Sequence, residues 1–263
     1  MRVLVAGASS RLGSRLLPLL TEQGATVRAL TRDPRRCARL ADIADEVVVG
    51  DVRRPETLGG ACAGADVIVS AVHGFAGPGR VSPRTVDDMG NRNLIAATQA
   101  SGSRMVLVSV VGAAPNHPME LFRAKAAAEA ALQNSGVLWT IVRATAFAEL
   151  WLEILAKGVV PGRGANPINF VSVADVADVV AEAAMNDDLI GRVIDVTGPE
   201  NLTLNELAAF ARPTGPVHHV PPAVLRVGAM FSRQARAGIV MDSHPMSAPA
   251  PEAPARPVRS LLG

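Results

Sequence analysis

Seven residues near the N-terminus, Gly7-Ala8-Ser9-Ser10-Arg11-Leu12-Gly13, have the types and spacing to grip phosphate. They follow a short apolar run, Val3-Leu4-Val5-Ala6, and lead into the leucine-rich stretch 16–20. A strand, a glycine turn and a helix start leave free amides at the head of a helix dipole, and both attract an anion. Gly7, Ser9, Ser10, Leu12 and Gly13 form a candidate cradle for a dinucleotide pyrophosphate. The spacing is G-x-x-S-x-x-G rather than G-x-G-x-x-G, with Ser10 in the middle position. The alternative is a strand-to-helix turn that binds nothing.

A second apolar run ends Leu30-Thr31-Arg32. An NAD site commonly places a carboxylate there, on the ribose 2′-hydroxyl. Arg32 offers a guanidinium instead, which can take a 2′-phosphate bidentately. Arg11, inside the glycine loop, is a second cation for the same phosphate. The pair favours NADP(H) over NAD(H). Arg32 can also be read as a solvated charge in a basic stretch, since Arg35 and Arg36 follow. Asp33 reads as a cap before Pro34. Asp51, with Val52 beside it, follows a third run and is a candidate acceptor for the adenine amino group, or else a turn residue. Ser70-Ala71-Val72 closes a fourth run, where small residues let the backbone lie against the adenosine ribose and pyrophosphate. His73 and His117 follow the fourth and fifth runs and could donate a proton, with surface-loop histidines as the plainer reading. Cys37, Cys62 and the pair His218-His219 lack metal spacing, so no metal site is expected.

Six apolar runs must position these residues: 3–6, 26–30, 46–49, 67–72, 105–110 and 138–142. Runs that are continuous rather than alternating suit strands buried on both faces of a parallel sheet. Helix-length segments separate them. Leu12, Leu16, Leu19 and Leu20 mark one face of the first, and Leu94, Ile95, Ala97 and Thr98 one face of a later helix ending near Gly102. The alternation predicts an α/β fold with a doubly wound parallel sheet. Further on, 168–171 and 192–196 read as strands, and 173–185 and 203–211 as helices. Ser172 and Asp175 have capping-box spacing. Prolines then cluster, a helix-like stretch covers 223–237, and 245–257 reads as loosely ordered. The expected division is residues 1–212 for dinucleotide binding and 213–263 for a small C-terminal substrate lobe and tail.

Composition narrows the partners. The chain has 263 residues, 49% hydrophobic and 19% charged, with a formal net charge of +2. That suits a folded protein with a sizeable core. Without a dense basic run, nucleic acid is not an expected partner, and no stretch is apolar enough to span a bilayer. The N-terminus opens on a strand and lacks the layout of a secretory peptide, so a cytoplasmic location is expected. There is no tyrosine, and Lys125 and Lys157 are the only lysines.

With these residues placed, the chain resembles the NmrA-like, NAD(P)-binding branch of the atypical short-chain dehydrogenase/reductase superfamily. The resemblance covers about the first 210 residues. It rests on Gly7–Gly13, the stretch 27–34, Gly50-Asp51, 106–109, Lys125-Ala126-Ala127-Ala128-Glu129, 139–143 and 173–177. It implies a Rossmann core with a small substrate lobe. In the wider superfamily a tyrosine lies four residues before a lysine, with a serine on the preceding strand. Here Lys125 matches the lysine and Ser109 the serine, while Leu121 stands at the tyrosine position. Lys125 is then expected to orient the nicotinamide ribose, with a solvated lysine paired to Glu129 at i+4 as the alternative. Ala144 and Phe147 match the turn that lies near the nicotinamide in relatives, with alanine in place of proline. The resemblance implies a reductase passing hydride to a small apolar acceptor, such as a quinone, whose reduced form is a stable anion. The alternative is a non-catalytic, NADP(H)-binding redox sensor that acts through a protein partner or as a homo-oligomer. A nucleotide-sugar epimerase fits less well without the tyrosine.

Overall fold

The computed structural model describes residues 1–75, 81–251 and 255–262. In chain order the strands are β1 (Arg2–Ala6), β2 (Thr26–Thr31), β3 (Glu46–Val49), β4 (Val67–Ser70), β5 (Arg104–Val110), β6 (Trp139–Ala144), β7 (Ala146–Phe147), β8 (Val159–Pro161), β9 (Pro167–Val171), β10 (Val193–Val196), β11 (Glu200–Thr203) and β12 (His218–Val220). The helices are α1 (Arg11–Glu22), α2 (Cys37–Ala41), α3 (Gly59–Cys62), α4 (Met89–Ser101), α5 (Glu120–Gln133), α6 (Ala148–Leu155), α7 (Val173–Met185), α8 (Leu204–Ala211), α9 (Pro222–Gly228) and α10 (Arg233–Ser243). A π-turn over Pro83–Asp88 precedes α4.

The chain divides into two units, elsewhere than at 212/213. The first is Met1–Arg143 with Val176–Asp195, and the second Ala144–Asp175 with Val196–Gly263. The first unit recovers most of α7 from the later sequence because a central sheet needs helices on both faces.

The sheet of the first unit runs β3-β2-β1-β4-β5-β6-β10. β1 pairs in parallel with β2 and β4, and parallel pairs continue to β3 and β5. Val3, Leu4, Val5 and Ala6 are all fully buried, the consequence of helices covering both faces. Burying each large side chain contributes roughly 1.5–3 kcal/mol. The buried face of α1 is Leu12, Leu16, Leu17 and Leu20; Leu19 is only half-buried. Gly13 sets this rotation by packing its bare Cα against the preceding turn. β4 ends at Ser70, two residues before its apolar run does, since Ala71 and Val72 leave the sheet for the β1–α1 turn.

Two arginines tie elements together. Buried Arg28 on β2 donates to the Ala61 and Ala63 carbonyls, each at 2.8 Å, and pairs with Glu46 at 2.6 Å. Arg104 on β5 donates to the Ala183 and Ala184 carbonyls, 2.9 and 2.5 Å away, filling the open C-terminal end of α7.

The second unit holds a three-stranded sheet, β11-β9-β7, and the pair β12-β8. Asn169 on β9 organises it, accepting from Thr145 Oγ1 at 2.8 Å and from the Gly198 amide at 2.7 Å. Three expectations are corrected here. The stretch 223–237 is two helices, α9 and α10, because Ser232 caps Ala235 and starts a new helix. The C-terminal segment is not loose where described. Met246 exchanges backbone hydrogen bonds with Pro167 and Asn169, both at 3.0 Å, and Val258 is buried. Residues 252–254 of that expectation lie outside the described residues. Asp175 does not cap α7; Glu149 accepts from the Val173 amide at 3.0 Å, and Asp175 binds the Arg256 amide and guanidinium.

Candidate functional site

The turn after β1 is fixed by backbone crowding. Gly7 has φ +89°, and a Cβ on it would come within 2.5 Å of the Ala71 carbonyl oxygen. A Cβ on Gly13 would come within 2.3 Å of the Gly7 carbonyl oxygen. Real Cβ contacts are never so short, so both positions require glycine. The Ser10 amide donates to the Gly7 carbonyl at 2.9 Å, and Ser10 Oγ accepts from the Gly13 amide at 3.0 Å. Ser10 is therefore the N-cap of α1, with its own O–H hydrogen left as a donor. Ala8 and Leu12 are buried beneath the turn, whereas Ser9 and Arg11 lie toward its surface. A turn this tight delivers the first-turn amides of α1 to the end of β1, and an extended diphosphate suits it.

Cations collect at the neighbouring strand end. Arg32, just past β2, is exposed. Arg36 reaches the Ser9 carbonyl with Nη1 at 3.3 Å, a contact that spacing alone did not single out. Asp33 caps the short turn after it by accepting from the Arg35 amide at 3.1 Å. The hydrogen bond from the Arg35 side chain holds the Asp33 carboxyl below its ordinary range. Asp51 is bound by its own neighbour: Arg53 donates to both carboxylate oxygens, at 3.0 and 2.5 Å. Burial raises the Asp51 pKa, but Arg53, with a further contribution from Arg32, leaves it lowered. Val52 is buried, and its carbonyl accepts from Asn93 at 2.8 Å.

The end of β4 lies beside the same turn. Ala71 and Val72 are buried, with the Ala71 carbonyl against Gly7. The Ser70 hydroxyl points the other way, donating to Asn91 Oδ1 at 2.5 Å, so only its backbone faces the turn.

Lys125, in α5, is not a solvated lysine. It is 3% exposed, and its Nζ meets the Val72 carbonyl at 3.2 Å, the Val108 carbonyl at 2.9 Å and Asp87 Oδ1 at 3.1 Å. The two carbonyls take hydrogen bonds from the ammonium, and the Asp87 carboxylate pairs with its charge. Glu129, the alternative partner, binds Arg143 instead, at 2.6 Å. Glu129 also takes the Ser109 hydroxyl, which is buried and joins β5 to α5 and β6. Leu121 is half-buried one turn before Lys125.

Asp87 is the residue the sequence reading missed. It sits at the end of the π-turn, fully buried, with Oδ2 accepting from the Gly74 amide at 2.8 Å. His73 Nδ1 faces its Oδ1 at 3.6 Å. Burial would raise the Asp87 pKa, but the Lys125 ammonium and the His73 ring reverse this and leave it lowered. The sequence carried no signal for it; the structure marks it as a buried carboxylate in a π-turn, an irregularity often kept at functional sites. Ala144 and Phe147 lie in the second unit, at the end of β6 and in β7. Among the described residues, no cluster could hold a metal and no helix is long and apolar enough to cross a membrane.

Comparison with known proteins identifies a family and a fold. Residues 7–187 match the family model described as NAD(P)H-binding. The photosystem II assembly factor Ycf39 of Synechocystis sp. is 30% identical, over 89% of this chain and 74% of its own. The NAD(P)H azoreductase of Xenophilus azovorans is 29% identical, over 79% of this chain and 71% of its own. The solved NADPH-dependent quinone oxidoreductase QOR2 of Escherichia coli, complexed with NADPH, has a TM-score of 0.78. It is 20% identical and covers 100% of this chain and 98% of that one, a likeness of fold.

Proposed function

The chain belongs to the NAD(P)H-binding family, and on that premise we propose that it is an NADPH-preferring reductase of the NmrA-like type, acting on small apolar acceptors such as quinones. The observation that carries this reading is the Gly7–Gly13 turn, too tight for any side chain at its two glycines, flanked by arginines where a carboxylate would select NAD. Gly7, Ser9, Ser10, Leu12 and Gly13 cradle the pyrophosphate. Arg11 and Arg32 take the 2′-phosphate, and Arg36, through its hold on Ser9, adds a third charge. Ala71 and Val72 lay backbone against the adenosine ribose. Asp51 serves as a turn residue, because Arg53 occupies both of its oxygens.

The bound nicotinamide supplies a hydride. Lys125 orients its ribose by exchanging the Val72 carbonyl, the longest of its three contacts, for a ribose hydroxyl. Ser109 has a positioning role, through Glu129 and Arg143. A second reading, a cofactor-binding regulator without turnover, draws on the similarity to the assembly factor Ycf39 and on the missing tyrosine.

Both readings face one experiment. Purified protein receives NADPH and a panel of quinones while absorbance of the reduced cofactor is followed. The reductase reading expects oxidation; tight binding without oxidation across the panel favours the regulator. Arg32→Asp is expected to weaken NADPH about tenfold or more and to favour NADH, since one desolvated charge pair is worth about 1.4 kcal/mol or above. An unchanged preference would remove Arg32 from the phosphate site.

A further inference from the structure

The reading above leaves the site without a proton donor, because the chain has no tyrosine. Quinones tolerate this. An azo or carbonyl acceptor does not, since the anion left by hydride addition is strongly basic and needs a proton at once.

We propose that His73, set beside the buried Asp87, is the proton donor of this site and extends its acceptors to azo compounds. This deepens, and rests on, the reductase reading. His73 follows the residue whose carbonyl Lys125 binds, so it stands beside the group assigned to the nicotinamide ribose. Its side chain is 50% exposed and stacks on Phe75, with ring centroids 6.1 Å apart. One face of the ring is thus held while the other meets solvent or an acceptor. Nδ1 lies 3.6 Å from Asp87 Oδ1, within ion-pair range and just beyond a hydrogen bond. That carboxylate is fixed from two further sides, by the Gly74 amide and by Lys125 Nζ. Gly74 sits close against the π-turn, where a Cβ would come within 2.4 Å of the Ser82 carbonyl oxygen. Among the described residues, the charged group set against the ring is Asp87 from the π-turn, and Lys125 from α5 reaches it only through that carboxylate. With the buried carboxylate beside Nδ1, Nε2 is the ring nitrogen left to serve an acceptor.

His117, the other candidate, is arranged differently. Its Nδ1 accepts the Met119 amide at 3.1 Å, and its ring stacks on Phe122 with centroids 4.0 Å apart.

The step balances with NADPH as reductant. One nitrogen of the N=N bond takes up the hydride, the π bond breaks, and the other nitrogen takes the proton from His73 Nε2. The product is a hydrazine, the cofactor is oxidised, and the neutral imidazole regains its proton from solvent.

The test compares two acceptors, methyl red, whose azo group needs the proton, and malachite green, a carbocation that hydride alone neutralises. In His73→Gln, methyl red turnover is expected to fall about a hundredfold or more, while malachite green turnover and the NADPH dissociation constant hold within about twofold. Equal losses with both dyes, no loss with methyl red, or a loss confined to His117→Gln overturns the assignment. A parent protein that reduces malachite green and not methyl red overturns it while leaving the reductase reading intact. A parent that binds NADPH and reduces neither dye nor any quinone overturns both. In the cofactor-free protein, nitrogen-15 NMR should place a proton on His73 Nδ1, in a signal that Asp87→Asn alters. A neutral ring protonated on Nε2 alone contradicts the dyad.

Discussion

Asp87 and Lys125 form a buried ion pair whose worth depends on both members being present. Two charges in a low-dielectric interior break even at best against a well-packed apolar pair, yet removing one leaves the other uncompensated. Asp87→Asn keeps the shape and strands the Lys125 ammonium among two carbonyls. Such a change is expected to cost about 3–5 kcal/mol at neutral pH, read from urea midpoints. The sign of its pH dependence follows from the lowered Asp87 pKa. A depressed carboxylate stabilises the fold fully above its unfolded value of about 3.9 and loses that contribution as pH falls through the lower folded value. The gap between parent and Asp87→Asn should therefore be constant from pH 7 to about 5 and narrow below about 4. A gap that widens in acid would mean that Asp87 is not held ionised by Lys125. None of this pair was legible beforehand. Lys125 drew notice by rarity and register, but Asp87 lies in a segment with no apolar period, and only the fold brings 87 to 125.

At the scale of elements, the junction of β1 and α1 does most to position the site. Its glycines serve contact rather than flexibility, and a pair of substitutions separates the two. Gly24 has φ +83° with open space around it, so Gly24→Ala is expected to cost only about 1 kcal/mol. Gly13→Ala must push its Cβ between the Gly7 and Ala8 backbones, with atoms at 2.3 and 2.7 Å. Its cost should reach about 3 kcal/mol or more, with NADPH binding lost, because the helix start must retreat from the strand end. Equal midpoints for the two variants would refute the crowding argument. The central strands β1, β4 and β5 were legible because they are buried on both faces, which writes a nearly continuous apolar run into the sequence. Helix ends with a local chemical cause were legible too, as at Gly102, which takes φ +70°, and at Asp33. Where the cause is distant, the sequence was silent. Glu149 rather than Asp175 serves the start of α7. The cap at Ser232, which splits α9 from α10, is local, but it lies inside a stretch of uniform helical texture that hides it. Arg36 read as one more charge in a basic run until the turn carried its side chain back to Ser9.

At the scale of the whole molecule, two units share one chain, and the proposed cofactor contacts of the β1–α1 turn, the β2 end and Lys125 all fall in the first. A ligand stabilises the state that binds it by mass action. NADPH at about a hundred times its dissociation constant should add about 2.7 kcal/mol to the unfolding free energy of the folded unit that holds it. That gain is not shared equally by all amides, because opening is local and each segment reports its own free energy. Hydrogen exchange with and without NADPH is thus expected to show added protection in β1, in the first turn of α1, at the ends of β2 and β4, and around Lys125. α9 and α10 keep few buried residues, Leu225 in the one and Ala237, Gly238 and Met241 in the other, and should exchange at unchanged rates. The charge argument predicts a further split. NADH lacks the 2′-phosphate that Arg11, Arg32 and Arg36 would meet, so it should protect the turn after β1 and leave the amides from Arg32 to Arg36 as they were. Protection of that second segment by both coenzymes alike would show that the arginines are bystanders and that the fold, not the charge, secures the cofactor.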